Sequence, residues 1–383
     1  MKASVQALAG VRIAEFGSYA AGPHIGKMLA NFGATVVHVE SRTRPDGFRM
    51  QYPPYKDNKP GIDSGGCFAY FNDSKLGVTL DLKNPRGVEL ARRLVATCDV
   101  VIENMRPGVM ARVGLGYDAL KAVRPGLVML STCNMGQTGP RADTPGFGSQ
   151  LTALAGMCSL TGAPDGPPML LYGPYIDFIA STLGAAAVLA ALDRRRRTGE
   201  GAWLDISQYE CGLQFLAGPL LDYHLNGRIA QRAGNDDPDA VLHGAYPCAN
   251  GTWVALSCWS AEERARLDAA IAPQPLEAWL AARAADAAAQ ALQAAGVHAH
   301  AVNTVADLFA DPQLAARGQW RRRPHPVIGD QAYCFPGFDL SATPGDVTRA
   351  APTLGADNDR VFRELLGLNA DELRAYEAAG AFD

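Results

Sequence analysis

The sequence has no pair of closely spaced cysteines. Eight cysteines are scattered over 383 residues, and the two nearest, Cys248 and Cys258, are too far apart for a CxxC zinc knuckle. In a chain of this length, such scatter is typical of reduced, buried thiols rather than of a disulfide framework. The cysteine pattern therefore predicts a cytoplasmic protein.

Excess charge and long apolar runs are also missing. The formal net charge is −4 and the isoelectric point is near 6.0, which gives no electrostatic reason to expect nucleic acid or an anionic membrane as a partner. No stretch approaches the roughly 18 uncharged apolar residues of a membrane-spanning helix. Arg12 and Glu15 interrupt the first apolar stretch, so it does not resemble a signal peptide.

Several catalytic and cofactor motifs are absent. The sequence contains no P-loop, no GxSxG nucleophile motif and no HExxH zinc motif. His298 and His300 share one face of a predicted strand, but without a third ligand a solvated face is more common than a metal site. We therefore predict no metal site.

Strands and helices alternate through the first 135 residues. Helical segments of about ten to fifteen residues separate short apolar or β-branched runs, which is typical of a doubly wound α/β fold with a parallel sheet. The predicted strands are Val11–Ser18, Ala34–Glu40, Gly77–Leu82, Asp99–Asn104 and Leu127–Cys133.

The remaining sequence changes composition twice. A long apolar helix is predicted from Ile176 to Arg197, followed by a strand at Ala202–Gln208. A polar stretch begins near residue 228, and the run AYPCANGTWVALSC, with Asn250-Gly251 at its centre, predicts a hairpin. We therefore expect a large domain over 1–227, a small domain over 228–315 and a return to the large domain over 316–383.

Asp177 is the most distinctive polar residue. About twenty almost wholly apolar residues follow it, so the predicted helix is buried and Asp177 falls in or near its first turn. One interpretation is an N-cap aspartate, which free amide groups and the helix dipole would keep ionised. The other is a nucleophilic or basic carboxylate lining a cleft.

The ordered series of segments resembles the class III CoA-transferases, the CaiB/BaiF family. The matching pieces include LAGVRIAEFGSYAAGP, GATVVHVE, FNDSKLGVTLDLKNPRG, DVVIENMRPGVMARVGLGYDAL, STCNMGQTGP and GPYIDFIASTLGAAAVLAALDRRRRTGEG, and the series covers nearly the whole chain. The resemblance implies a Rossmann-like large domain built from both chain ends, a smaller inserted α+β domain, and two subunits interlocked as a homodimer.

The resemblance also implies chemistry and partners. The family's catalytic aspartate falls on Asp177, which would transfer CoA from an acyl-CoA to a carboxylic acid through an aspartyl anhydride and an aspartyl-CoA thioester. Coenzyme A would be a co-substrate, with no further cofactor. The resemblance assigns CoA contacts to Asn104, Arg112, Lys75 and the segment Ala21, Gly22, Pro23.

Two alternatives stay open. One is a racemase, isomerase or dehydratase of the same family that acts on a CoA thioester. The family's racemases pair the aspartate with a histidine, but the corresponding position here is Phe147, which cannot accept a proton. A subunit that binds CoA without catalysis is the other alternative, because a fold can persist without its chemistry. The loop that reads GNDDP here also departs from the family pattern, so acceptor binding by that loop is not inferred.

Overall fold

A computed structural model describes residues 6–383, which form two compact units. The first unit combines the chain up to Ala155 with Leu171–Ala217 and Gly318–Asp383, and the second combines Gly156–Leu170 with Gly218–Arg317. The domain boundaries near residues 228 and 316 stay a prediction.

The strands are β1 (Arg12–Phe16), β2 (Thr35–Glu40), β3 (Leu76–Thr79), β4 (Val100–Glu103), β5 (Val128–Cys133), β6 (Ala202–Ser207), β7 (Leu242–Pro247), β8 (Trp253–Cys258), β9 (His298–Ala301), β10 (Trp320–His325) and β11 (Gly329–Cys334). The helices are α1 (Ala21–Asn31), α2 (Gly47–Met50), α3 (Gly66–Asn72), α4 (Pro85–Ala96), α5 (Val109–Arg112), α6 (Tyr117–Val123), α7 (Gly148–Leu154), α8 (Tyr175–Thr198), α9 (Gln208–Leu213), α10 (Ala217–Asn226), α11 (Ala261–Ile271), α12 (Leu276–Ala281), α13 (Ala285–Ala294), α14 (Val305–Ala310), α15 (Pro312–Ala316) and α16 (Ala370–Ala378).

The first unit is built on a six-stranded sheet in the order β3-β2-β1-β4-β5-β6, with every neighbouring pair parallel. The predicted parallel α/β sheet is therefore confirmed. The strand order reverses between β1 and β4, and crevices at the carboxyl ends of strands beside such a switch point are where α/β sheets bind ligands. The loops after β1 and β4 are therefore placed to form a site.

Apolar side chains cover both faces of this sheet. One face packs against α4 and α6 together with residues near the end of the chain, including Phe362 and Tyr376. The other packs against α1 and α8, where Ile25 and Val188 are fully buried. Because both faces are covered, the strands read as continuous apolar runs rather than as alternating patterns.

Helix α8 passes across the second face. It begins after Pro174 and ends at Gly199, whose φ of 77° is the left-handed conformation that favours glycine at a helix end. Its length and apolarity are sufficient to cross a membrane, so the expectation that no stretch approaches such a composition is wrong. A core helix meets the same criterion, and seven residues of α8 are buried in the protein.

The second unit contains a small antiparallel sheet in the order β7-β8-β9, against which α11, α12 and α13 place their apolar residues. The hairpin predicted around Asn250-Gly251 is present as β7–β8, with Asn250 in a left-handed turn at φ 60°. In the first unit, the segment between β2 and α3 contains the four-residue helix α2, which Asp46 caps by accepting a hydrogen bond from Phe48 N.

Candidate active site

Asp177 lies in the first turn of α8 and is half-buried. Pro174 is the N-cap residue, so the interpretation of Asp177 as the N-cap is wrong. Burial raises the pKa of Asp177 to about 7, and only a hydrogen bond from its own backbone opposes that shift. Loss of solvation therefore opposes the stabilisation of the charged form that is expected from the helix start.

Gly148 is packed directly against the Asp177 carboxylate. A Cβ atom added to Gly148 would lie 2.1 Å from Asp177 Oδ2 and 2.7 Å from Pro174 Cβ, which is closer than any real contact. The space beside the carboxylate thus exists because residue 148 has no side chain. This steric requirement follows from two segments meeting in space, so sequence reasoning did not find Gly148.

The segment Ala21, Gly22, Pro23 forms the buried first turn of α1, after the short loop that follows β1. Ser181, one turn after Asp177 on α8, donates a hydrogen bond from Oγ to the carbonyl of Ala21 at 2.9 Å. The structure therefore brings the start of α1 and the start of α8 to the same edge of the sheet.

Asn104 joins this group from the end of β4. Its side-chain amide accepts a hydrogen bond from Ser18 N at 2.9 Å and donates one to Ser18 O at 2.8 Å. A Cβ on Gly22 would lie 3.2 Å from the Asn104 amide, so the two residues are in close contact. Asn104 thereby fixes the loop between β1 and α1.

Lys75 is completely buried, and three acceptors surround its amine. Nζ donates to Glu15 Oε1 at 2.7 Å, to Pro23 O at 2.7 Å and to Asn72 Oδ1 at 2.9 Å. An ammonium group has three hydrogens to donate, so these bonds use its full capacity. Lys75 thus holds the first turn of α1 by the Pro23 carbonyl, and its contact with CoA stays a prediction.

Arg112 lies elsewhere in the first unit. It is exposed at the end of α5 and lines an open groove of about 850 Å³ that also contains Lys83, Arg92 and Arg93. Its guanidinium makes one long hydrogen bond, to Pro107 O at 3.5 Å. No contact between Arg112 and Asp177 is present in the structure of residues 6–383.

Known proteins resemble this chain over nearly its full length. The sequence model described as CoA-transferase family III matches residues 8–358. The chain belongs to CoA-transferase family III. The resemblance drawn from the sequence is therefore confirmed, and the chain is an enzyme of this class.

Two curated relatives of this family III enzyme carry CoA-transferase names. A succinyl-CoA–D-citramalate CoA-transferase of Chloroflexus aurantiacus is 33% identical, and the match covers 96% of each chain. A succinate–glutarate CoA-transferase of Agrobacterium fabrum is 31% identical, over 94% of this chain and 95% of the relative. A crystal structure of a CaiB/BaiF family protein from Brucella suis matches with a TM-score of 0.85 at 28% identity, covering 94% of this chain and 99% of that one.

His24 is the histidine that approaches α8 of the family III enzyme near Asp177. Its ring packs edge-on against Phe178 with centroids 4.9 Å apart, and burial lowers its pKa to about 3. The imidazole is therefore neutral near pH 7 and is a weak base. Phe147, at the position of the racemase histidine, is the residue before α7; its backbone N–H donates to Gln150 Oε1 at 3.1 Å, and its ring is exposed.

The candidate metal pair is not assembled. His298 Nε2 approaches Glu263 Oε1 at 3.4 Å, whereas His300 Nδ1 lies 3.3 Å from the side-chain amide of Gln293. Within residues 6–383 no group of three or more His, Cys, Asp or Glu side chains is arranged to hold a metal ion.

Proposed function

We propose that this enzyme transfers CoA from an acyl-CoA to a carboxylic acid, with Asp177 as the covalent nucleophile. The observation that carries the proposal is the Asp177 carboxyl group, held at the start of α8 against Gly148 and raised in pKa to about 7 by burial. The names of the relatives support the reaction class, and the active-site geometry supports the residue.

The reaction divides into balanced steps. A carboxylate oxygen of Asp177 attacks the thioester carbonyl carbon, the carbon–sulfur bond breaks, and CoA leaves as a thiolate with a mixed anhydride on the enzyme. The thiolate then attacks the aspartyl carbon of the anhydride, which releases the donor acid as a carboxylate and leaves an aspartyl-CoA thioester. An acceptor carboxylate attacks the aspartyl carbon of that thioester, which expels the CoA thiolate and forms a second anhydride. The thiolate then attacks the acceptor's acyl carbon, which gives the acceptor-CoA thioester and releases the Asp177 carboxylate. No net proton is taken up or released.

Burial of Asp177 suits this chemistry in two ways. A carboxylate with a raised pKa is more basic, and hence more nucleophilic, than one in water. Restricted water access also protects the anhydride from hydrolysis. The enzyme still requires the ionised form, so transfer depends on the fraction of Asp177 that has lost its proton.

We assign the CoA contacts to the loops around the start of α1, with Asn104 holding the β1–α1 loop and Lys75 holding the turn at Pro23. Arg112 is assigned to a phosphate of CoA, because it is an exposed guanidinium in a groove with three further cations. Coenzyme A is the co-substrate in this proposal, and no other cofactor takes part.

A cytoplasmic homodimer, with interlocked subunits and a large domain formed by both chain ends, completes the proposal. The support for self-association is helix α10, which has no buried residue and exposes Leu220, Leu221, Tyr223 and Leu225. Exposed apolar clusters of this kind mark interaction surfaces. The molar mass of the purified protein by light scattering tests the stoichiometry.

Covalent trapping tests the nucleophile. The purified enzyme is incubated with a panel of acyl-CoAs that begins with succinyl-CoA, then treated with hydroxylamine, and the modified peptide is mapped by mass spectrometry. We expect a hydroxamate on Asp177 in the wild type and in Asp118→Asn, a control that removes an exposed aspartate from the first turn of α6. A hydroxamate that persists in Asp177→Asn, or that maps to another residue, would refute the assignment.

The racemase alternative requires a second base beside Asp177. His24 is the nearby histidine, and its pKa of about 3 makes it a poor proton acceptor. Solvent deuterium entering the α-carbon of an acyl-CoA without carboxylate exchange would support the racemase. Binding of CoA without turnover of any acyl-CoA would support the non-catalytic subunit.

A further inference from the structure

A chain of aromatic side chains in the first unit ends at the residues that adjoin Gly148 and Asp177 in the sequence. We name Tyr19, Phe48, Tyr52, Phe71, Phe147 and Phe178 the aromatic wall. Ring centroids of successive members lie 5.3–5.8 Å apart from Phe147 through Tyr19, Phe48 and Phe71 to Phe178, and Tyr52 contacts Tyr19 and Phe48. One end, Phe147, immediately precedes Gly148, and the other end, Phe178, immediately follows Asp177.

Tyr19, at the centre of the wall, is held in an unfavourable backbone conformation. Its φ of 63° is left-handed, a conformation that tyrosine rarely adopts. Its backbone N–H donates to the Asp46 carboxylate at 3.0 Å, and its hydroxyl donates to Gln51 Oε1 at 2.7 Å. A Cβ on Gly47 would lie 2.2 Å from the Tyr19 ring, so this glycine makes room for it. Several neighbours therefore maintain a strained residue, which is characteristic of functional positions.

The wall presents apolar ring surface, and within residues 6–383 none of its six rings has a lysine or arginine stacked over it. Phe147 and Tyr52 are 55% and 40% exposed, so their rings are available to a ligand. Arg49, the cation that follows Phe48, is fully buried and bonds to Glu40 and Asp63 at 2.7 Å. A succinyl group would place its distal carboxylate against these rings without a partner, which is unfavourable.

We infer that the aromatic wall selects the acyl group, and that the preferred donor carries an aryl or arylalkyl acyl chain rather than a dicarboxylate chain. This inference rests on the proposed function, because it places the acyl carbonyl at Asp177. The ring of the substrate would lie against Phe147 and Tyr19 in edge-to-face or offset contact.

The test compares phenylacetyl-CoA with succinyl-CoA as donors, using hydroxylamine-dependent release of CoA thiol to obtain kcat and KM. We expect the wild type to favour phenylacetyl-CoA at least tenfold in kcat/KM. Phe147→Ala should reduce this ratio about tenfold by raising KM for phenylacetyl-CoA, since removal of apolar contacts in a pocket has effects of this size. Tyr19→Phe should keep the preference, because the ring is retained.

Phe338→Ala is the matched control. Phe338 is 53% exposed and stacks on Phe32 at 4.9 Å, outside the wall, so its removal should leave the donor ratio unchanged. A wild-type ratio near one or in favour of succinyl-CoA would overturn the inference while leaving the proposed function intact. An equal loss with both donors in Phe147→Ala would also overturn it. If no donor modifies Asp177, the proposed function and this inference both fall.

Discussion

Asp177→Asn should make the folded protein more stable at pH 8 while abolishing CoA transfer. Burial holds the pKa of Asp177 at about 7 rather than its ordinary 3.8, so ionisation at pH 8 takes place against the folded structure. The difference between these pKa values corresponds to about 4 kcal/mol. Because Asp177 is only half-buried, solvent screening lowers the expected gain to about 1–3 kcal/mol.

The sign of the pH dependence follows from proton linkage. Between about pH 4 and pH 7, the folded protein retains a proton on Asp177 that the unfolded chain has released. The contribution of Asp177 to the free energy of unfolding therefore falls as pH rises through this window. Asparagine has no proton to lose, so the difference between variant and wild type should be smallest near pH 4 and largest at pH 8.

Urea unfolding of both proteins at pH 5, 6, 7 and 8 measures this difference, and all other titrating groups cancel in the comparison. Asp118→Asn, which removes an exposed first-turn aspartate, should show no comparable pH-dependent gain. A variant less stable than the wild type at pH 8 would refute the reasoning. A stability difference that does not change with pH would refute it equally.

Three further outcomes are expected. Gly148→Ala should lower kcat about a hundredfold, because the new methyl group would displace the Asp177 carboxylate and a misplacement of about 1 Å can have an effect of this size. Gly146→Ala is the control: its Cβ would lie at an ordinary 3.4 Å from Asn134, so this variant should remain active. Equal activity of the two variants would contradict this prediction. The kcat/KM for any donor should rise about tenfold per pH unit at pH values below about 7, the pKa of Asp177, and should stay constant at higher pH. A kcat/KM that does not change between pH 5 and pH 8 would count against ionised Asp177 as the nucleophile. Lys75→Met should reduce the free energy of unfolding by about 3–5 kcal/mol, because it removes the ammonium group from Oε1 of buried Glu15 and leaves only the His38 ring beside that oxygen. Glu15→Gln in the same chain should recover part of the loss in urea unfolding.

The sheet could be predicted from the sequence because its strands are buried on both faces. Such strands appear in the sequence as continuous β-branched runs, for example Thr35–Glu40. Because helices of regular length separate these runs, few alternatives to a parallel sheet remain. The start of α8 was also predictable, since Gly173-Pro174 precedes a long apolar run. Local pattern alone determines features of this kind.

The remaining site features depend on residues that are far apart in the chain. Gly148 matters only because α8 brings Asp177 beside it, and the left-handed Tyr19 is maintained by Asp46 and Gly47, which lie between β2 and α3. Lysine is rarely buried, so its sequence position gave no indication that Lys75 would have three internal acceptors. Whether the pKa of Asp177 is raised or lowered depends on how deeply its carboxyl group is buried, and the sequence pattern of a helix start contains no information on burial.

The β3 edge of the sheet cannot be covered until the last residues of the chain have been synthesised. Strand β3 is an edge strand, and its Gly77 N–H donates to Asp357, 280 positions later, while Thr79 N–H donates to Asn358. At bacterial or eukaryotic translation rates that separation corresponds to roughly 15–60 s. During this interval the edge of β3 and the apolar face awaiting Phe362 stay uncovered on the ribosome. Unpaired strand edges are prone to aggregation, so the yield of folded enzyme should depend on protection of the nascent chain until its last elements emerge.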